Sequence, residues 1–213
     1  MRLPSPPLLL VTDRTQARRP LADVVRASIA GGCRWISVRE KDLPDGEQIA
    51  LVNELAPLVR GAGGSLLLHG AAELARACAA DGVHLPAGAD VAAVRTLLGP
   101  QKIVGISIHS AAESAALDPQ IVDYVIAGPV FATESKPGYG PALGPAGVAD
   151  IVRSARVPVI GIGGIAAANV DDVMKAGAAG IAVMGGVMRA ADATCEIREL
   201  ISALDAADQP RPR

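Results

Sequence analysis

Thr133, Ser135 and Lys136 fall within one short stretch of the run VIAGPVFATESKPGYGPALGP, 125–145. Two hydroxyls and an ammonium can all donate to an anionic oxygen, and the surrounding Gly and Pro residues make a long, shaped loop of a kind usually kept for function. Such a loop can close over a phosphorylated ligand and exclude water. A solvated turn is the simpler alternative. Two glycine pairs follow, Gly163–Gly164 in GIGGIAAANV and Gly185–Gly186 in VMGGVMRA. Paired glycines let backbone N–H groups approach an anion closely, and a helix N-terminus adds partial positive charge. They are expected to cradle a phosphate; the competing reading is that they only permit tight turns.

Arg39 and Lys41 stand in SVREKD. Period-two alternation puts Ser37 and Arg39 on one strand face, with Lys41 just beyond on the loop. A buried guanidinium is costly unless it is paired or faces a polar pocket, so both cations read as anion ligands. A structural pair of Arg39 with Glu40 or a nearby Asp is the alternative. Three histidines, His69, His84 and His109, lie at or near strand ends. An unperturbed imidazole, with a pKa near ~6.5, suits proton transfer at neutral pH.

These residues need strands to carry them. Short β-branched or Leu-rich runs at 8–13, 35–40, 65–70, 82–86, 103–109, 124–130, 158–164 and 180–186 alternate with Ala-rich segments. Helices are expected at 21–31, 46–58, 71–80, 90–98, 113–117, 145–154, 168–176 and 194–206. Repeated strand–helix units of this number and length predict an α/β fold, a (β/α)8 TIM barrel. With no break in composition, residues 1–207 read as a single domain and 208–213 as a disordered tail. In such a barrel the loops after the strands build the active site, and those after strands seven and eight commonly hold phosphate. A doubly wound open sheet is the alternative, since GIGGIA matches a loose dinucleotide fingerprint; here, however, that fingerprint follows the seventh strand and lacks its acidic ribose partner.

Composition excludes several classes. The chain has 213 residues, a formal net charge of -2 and 50% hydrophobic residues. With 20 basic against 22 acidic residues and 2% aromatics, nothing suggests a nucleic-acid partner. Cys33, Cys78 and Cys195 are widely spaced and odd in number, which predicts neither a disulfide framework nor a zinc site and fits a reducing compartment. The opening MRLPSPPLLLVTD has too short an apolar run for a signal or a membrane span, so a cytoplasmic protein without membrane attachment is expected. Homo-oligomerisation stays open.

The ordered set SVREK, DGVHLP, GISIHS, DYVIAGPVFATESKPG, PVIGIGGI and GIAVMGGV, covering nearly the whole chain, resembles the thiamine phosphate synthase/TenI family. The resemblance implies a (β/α)8 barrel that binds a small phosphorylated thiazole. Its synthase branch joins that thiazole to a hydroxymethylpyrimidine diphosphate using Mg2+. Its TenI branch aromatises a thiazole tautomer by proton transfer. The resemblance further implies that Arg39 and Lys41 form the basic pair after strand two and that Ser107 is the serine of the strand-five S-x-H motif. Thr133, Ser135 and Lys136 would form the T-x-T-K loop with Ser for the second Thr. Gly163, Gly164, Gly185 and Gly186 would make the thiazole-phosphate cradle, with Gly185 standing where synthases usually carry Ser.

Departures from the synthase pattern bear on the choice between the branches. Ser37 replaces Gln, His69-Gly70 replaces Asn-Asp, and HLPAGAD replaces HLGQED. Ala89 thus stands where the family has an Asp that helps hold Mg2+, and Asp90 comes one residue late. Magnesium binds phosphates through one or two carboxylates, so their loss favours the TenI-like branch, which needs no metal or other cofactor. The TenI histidine would fall at Pro129, so another base is required. His69 is the first choice, because it fills the slot where the synthase Asn faces the ligand, and Lys136 would anchor the phosphate. His84 and His109 are expected to be structural, while Glu40 and Glu134 remain further candidate bases. Three alternatives stay open: a synthase in which Asp90 or phosphate-bound Mg2+ compensates, a non-catalytic thiazole-phosphate-binding regulator, and a phosphosugar isomerase using Asp13 and Glu40.

Overall fold

The computed structural model describes residues 3–135 and 141–208. Eight parallel strands close into a barrel in sequence order: β1 Leu8–Val11, β2 Trp35–Val38, β3 Ser65–His69, β4 Gly82–Leu85, β5 Ile103–Ile108, β6 Tyr124–Ala127, β7 Val159–Ile162 and β8 Gly180–Val183. Closure comes from β8 pairing back onto β1, with Leu9 opposite Ala182. The open doubly wound sheet is therefore excluded, and the fold is the expected (β/α)8 barrel in a single domain. Helices α1 Leu21–Gly31, α2 Asp45–Gly61, α3 Ala72–Ala77, α4 Val91–Leu98, α5 Ala111–Ala115, α6 Gly144–Ser154, α7 Val170–Lys175, α8 Gly185–Met188 and α9 Ala193–Asp208 surround it.

Strand residues are buried on both faces, as a parallel sheet wrapped by helices requires. The two faces separate cleanly. Leu8, Leu10, Ile36 and Val38 pack with helix residues such as Val25 and Leu55, whereas Leu9, Val11, Trp35, Leu67, Tyr124, Ile126 and Ile160 form a second cluster from the alternate positions. That second set fills the lumen. Alternation carries Ser37 and Arg39 to the same lumenal face as Trp35. Lateral register then sets His69 opposite His84, His84 opposite Gly105, and Gly105 opposite Tyr124.

Two local departures from expectation have clear causes. Helix α5 begins two residues earlier than 113–117 because Ser110 accepts a hydrogen bond from the Glu113 backbone and the Glu113 carboxylate accepts one from the Ser110 backbone. The strand expected through 186 stops at Val183, and Gly185 and Gly186 open the one-turn helix α8 instead.

Candidate active site

A cavity of about 380 Å³ opens where the C-terminal ends of the strands converge. Arg39 enters it from the end of β2, His69 from β3, Ser107 and His109 from β5. The segment after β6 contributes Thr133, Glu134 and Ser135; the loop after β7 contributes Gly163 and Gly164; and α8 with its C-terminal neighbour contributes Gly185, Gly186 and Arg189. Most residues singled out from sequence thus meet in one place. Lys41 does not line the cavity: it is exposed in the turn after Arg39. The inward alternation ends at Arg39, Glu40 folds into the wall, and Leu43 N–H bonds back to the Glu40 carbonyl at 3.1 Å. Partial burial, and then the nearby Arg39 charge, lower the Lys41 pKa. Lys136 lies outside the described residues.

Glu40 is committed to structure. Its carboxylate is buried, accepts the Thr12 hydroxyl at 2.6 Å and takes the Arg14 backbone N–H at 3.0 and 3.1 Å. Thr12 in turn accepts the Arg39 backbone N–H at 2.9 Å, so this network fixes the strand end that aims Arg39. Burial raises the Glu40 pKa despite these donors. Asp13 also turns inward on its own loop, accepting the Thr15 hydroxyl and the Gln16 amide, each at 2.6 Å. Burial opposes its ionisation, but those hydrogen bonds win and hold its pKa below the ordinary value. Neither carboxylate lines the cavity, which removes the pair a phosphosugar isomerase would need.

Gly163 and Gly164 have φ of 102° and 63°, and side chains there would strike Pro129 and Phe131 of the neighbouring loop. The turn reading of this pair is therefore correct as far as it goes, while its backbone also faces the cavity. At Gly185 the reason is different. A Cβ would lie 2.8 Å from Arg189 Nη2 and closer still to Nη1 and to the Ser135 hydroxyl. Absence of a side chain makes room for the guanidinium, which donates to Gln16 Oε1, lies 3.4 Å from Ser135 Oγ and pairs with Glu134 at 3.7 Å. Sequence reading missed Arg189, although its place four residues after Gly185, one helical turn on, was visible in VMGGVMRA. Gln16 carried no signal at all, since its contact with Ser135 spans 119 residues of chain.

The histidines divide by environment. His84 is fully buried; its Nδ1 lies 3.0 Å from the Tyr124 hydroxyl and its Nε2 2.9 Å from Ser107 Oγ. Burial first, and the Lys41 charge second, push its pKa down to about 3, so the ring is neutral. The His69 ring sits 4.6 Å from that of His84. His109, expected to be structural, does bond to the main chain, through Nδ1 and the Gly128 carbonyl at 2.8 Å, yet it also lines the cavity. Because a carbonyl only accepts, Nδ1 carries the proton, and the basic nitrogen of the neutral ring is Nε2.

Carboxylates are scarce. Glu134 is the one that lines the cavity among the described residues, and it is engaged with Arg189. Asp90 accepts the Ala93 backbone N–H at 3.0 Å as the cap of α4. Among the described residues no group of three or more His, Cys, Asp or Glu has a metal-holding arrangement.

Strand ends bearing Arg, His and Ser, opposite glycine-lined loops after β7 and β8, define a (β/α)8 barrel with its polar site at the C-terminal rim. Within that class, the profile described as thiamine monophosphate synthase, TMP-TENI, matches residues 8–187, and the chain belongs to this family of thiamine biosynthesis. A thiamine-phosphate synthase of Roseiflexus sp. (strain RS-1) is 38% identical over 207 residues, 96% of this chain and 87% of the relative. A putative thiamine-phosphate synthase of Geobacter sulfurreducens is 38% identical over 92% of this chain and 93% of its own. The solved thiamine phosphate pyrophosphorylase from Pyrococcus furiosus superposes with a TM-score of 0.85 at 30% identity, covering 95% of this chain and 96% of that one. No helix among the described residues is long and apolar enough to cross a membrane.

Proposed function

We propose that the cavity binds a thiazole phosphate and that the protein moves a proton on its ring, as a thiazole tautomerase of TenI type. The observation that carries this reading is that two imidazoles, His69 and His109, line a cavity whose one described carboxylate, Glu134, is already paired with Arg189. Backbone N–H groups at Gly163, Gly164, Gly185 and Gly186, the Thr133 and Ser135 hydroxyls, and the cations Arg189 and Lys136 would hold the phosphate. The ring would then rest near the imidazoles, one taking a proton and the other returning it at a second position. His109 and His69 both line that space.

A second reading, thiamine phosphate synthase, is favoured by the names of the relatives. Family resemblance ties that coupling to Mg2+, and the residues at the implied ligand position do not fit such an ion: Asp90 caps α4 and Ala89 stands in the usual ligand place. The residues of this cavity are accordingly assigned no step through a metal. The deciding assay supplies the carboxythiazole phosphate tautomer, with and without hydroxymethylpyrimidine diphosphate and Mg2+, and identifies products by mass and ultraviolet spectrum. Ring aromatisation without the diphosphate supports the tautomerase, with His69→Asn or His109→Asn expected to abolish it. A coupled product would establish the synthase instead, and tight calorimetric binding with no turnover would leave a regulator.

Arg189→Ala is expected to weaken binding of inorganic phosphate by roughly 10- to 100-fold, since hydrogen bonds to a charged group contribute about 1.5–3 kcal/mol. Its melting temperature should barely change, because the Arg189 side chain is 39% exposed. Gly185→Ser should weaken binding in the same direction by displacing the guanidinium. Calorimetric titration of both variants checks this, and unaltered affinity in Arg189→Ala would remove that residue from the cradle.

A further inference from the structure

The buried chain Ser107–His84–Tyr124 is unexplained by proton transfer at the cavity, since His84 is wholly enclosed and neutral. Gly105 makes the chain possible: it lies between His84 and Tyr124 in the register, and its missing side chain leaves the gap across which the two meet. Among the described residues the Tyr124 hydroxyl has one hydrogen-bond partner, His84 Nδ1, and Tyr124 is 0% exposed. A buried hydroxyl must place its proton on an acceptor. Nδ1 can accept only if it carries no hydrogen, and a neutral imidazole then bears its hydrogen on Nε2. Nε2–H must in turn donate to Ser107 Oγ, 2.9 Å away. Ser107 Oγ then accepts from His84 with one lone pair, and its own O–H is turned away from His84. Ser107 lines the cavity.

We propose that Tyr124 acts through His84 as a positioning residue, fixing the imidazole in its Nε2–H form so that the Ser107 hydroxyl is presented to the cavity as a hydrogen-bond donor for an anionic oxygen of the ligand. The opposite polarity would have Ser107 donating inward to Nε2, would leave the Tyr124 proton without an acceptor, and would offer the ligand only lone pairs that repel phosphate. The relay thus selects for anionic over hydrogen-bond-donating ligands at this corner. It rests on the reading of the cavity as a phosphorylated-ligand site.

Nitrogen NMR of the intact protein at neutral pH, assigned by comparison with His84→Gln, reads the tautomer directly and needs no ligand. The Nε2–H form is expected; the Nδ1–H form overturns the relay. Inorganic phosphate is then titrated calorimetrically into the wild type, Tyr124→Phe, Ser107→Ala and the double variant. Tyr124→Phe should weaken binding by roughly 3- to 10-fold, the scale of one neutral hydrogen bond, and should have no effect in the Ser107→Ala background. Additive losses would overturn the proposal, because a merely structural Tyr124 would act regardless of Ser107. If the wild type binds no inorganic phosphate while the tautomer is Nε2–H, the phosphate reading falls and Ser107 loses its assigned role, so the two failures are distinguishable.

Discussion

Between pH 6.5 and pH 4 the protein is expected to lose roughly 3 kcal/mol of unfolding free energy through His84, at about 1.4 kcal/mol for each unit between the unfolded and folded pKa. Burial, then Lys41, lowers the folded value to about 3, against 6.5 for the free side chain. In this window the unfolded chain takes up a proton that the native ring refuses. Stability is therefore full above 6.5 and falls as the pH drops toward the folded value. Glu40 slopes the other way. Its folded pKa is raised above 4.5, so just above that value the native state holds the extra proton and stability falls as pH rises. His84→Gln, which cannot titrate, should be less stable at neutral pH yet lose the acid-side slope. Urea unfolding followed from pH 7 to pH 4 checks this; an unchanged slope in His84→Gln would mean that His84 does not refuse the proton.

Gly105→Ala is the second large effect, and it needs only one added methyl. A Cβ at this position falls 2.5 Å from the Tyr124 hydroxyl oxygen and closer still to its ring carbons Cζ and Cε1. Tyr124 cannot easily yield. It is fully buried, and its ring meets Trp35 edge-on at a centroid distance of 4.7 Å. Overpacking of this kind costs about 3 kcal/mol, which for a chain of this size lowers the melting temperature by roughly 6–12 °C. Ring displacement should also break the contact with His84, so Gly105→Ala is expected to weaken binding of inorganic phosphate as Tyr124→Phe does. In a Tyr124→Leu background the same Gly105→Ala change should cost much less, because the atoms it strikes are gone. Equal losses in melting temperature in the two backgrounds would show that the collision is not the cause.

Much of this protein was legible along the chain. Eight buried strands could be read because a parallel strand wrapped by helices must be apolar on both faces, which leaves short runs such as LLLV and YVIA between Ala-rich helices. The inward aim of Arg39 followed from alternation, and the placing of the glycine pairs from their position after the last two strands. These are properties of neighbouring residues, and period and turn chemistry encode them locally. Elsewhere the local signal stopped short. Lys41 lies two residues beyond Arg39, but the chain leaves the strand there, held by Glu40 in a network with Thr12 from the end of β1. Helix α8 replaced the end of an expected strand.

Contacts between strand ends belonged to the tertiary structure. Arg189, Gln16 and Ser135 converge from the loops after β8, β1 and β6, and His84 reaches Tyr124 across 40 residues of sequence. Which side chains face each other across a lumen is set by register and closure, and neither is written in any single strand. The sequence by itself therefore determined the architecture and the kind of groups at its rim. Only the closed barrel decided that Gly105 is a gap, that Arg189 fills the space above Gly185, and that a buried imidazole stands between a tyrosine and the cavity serine.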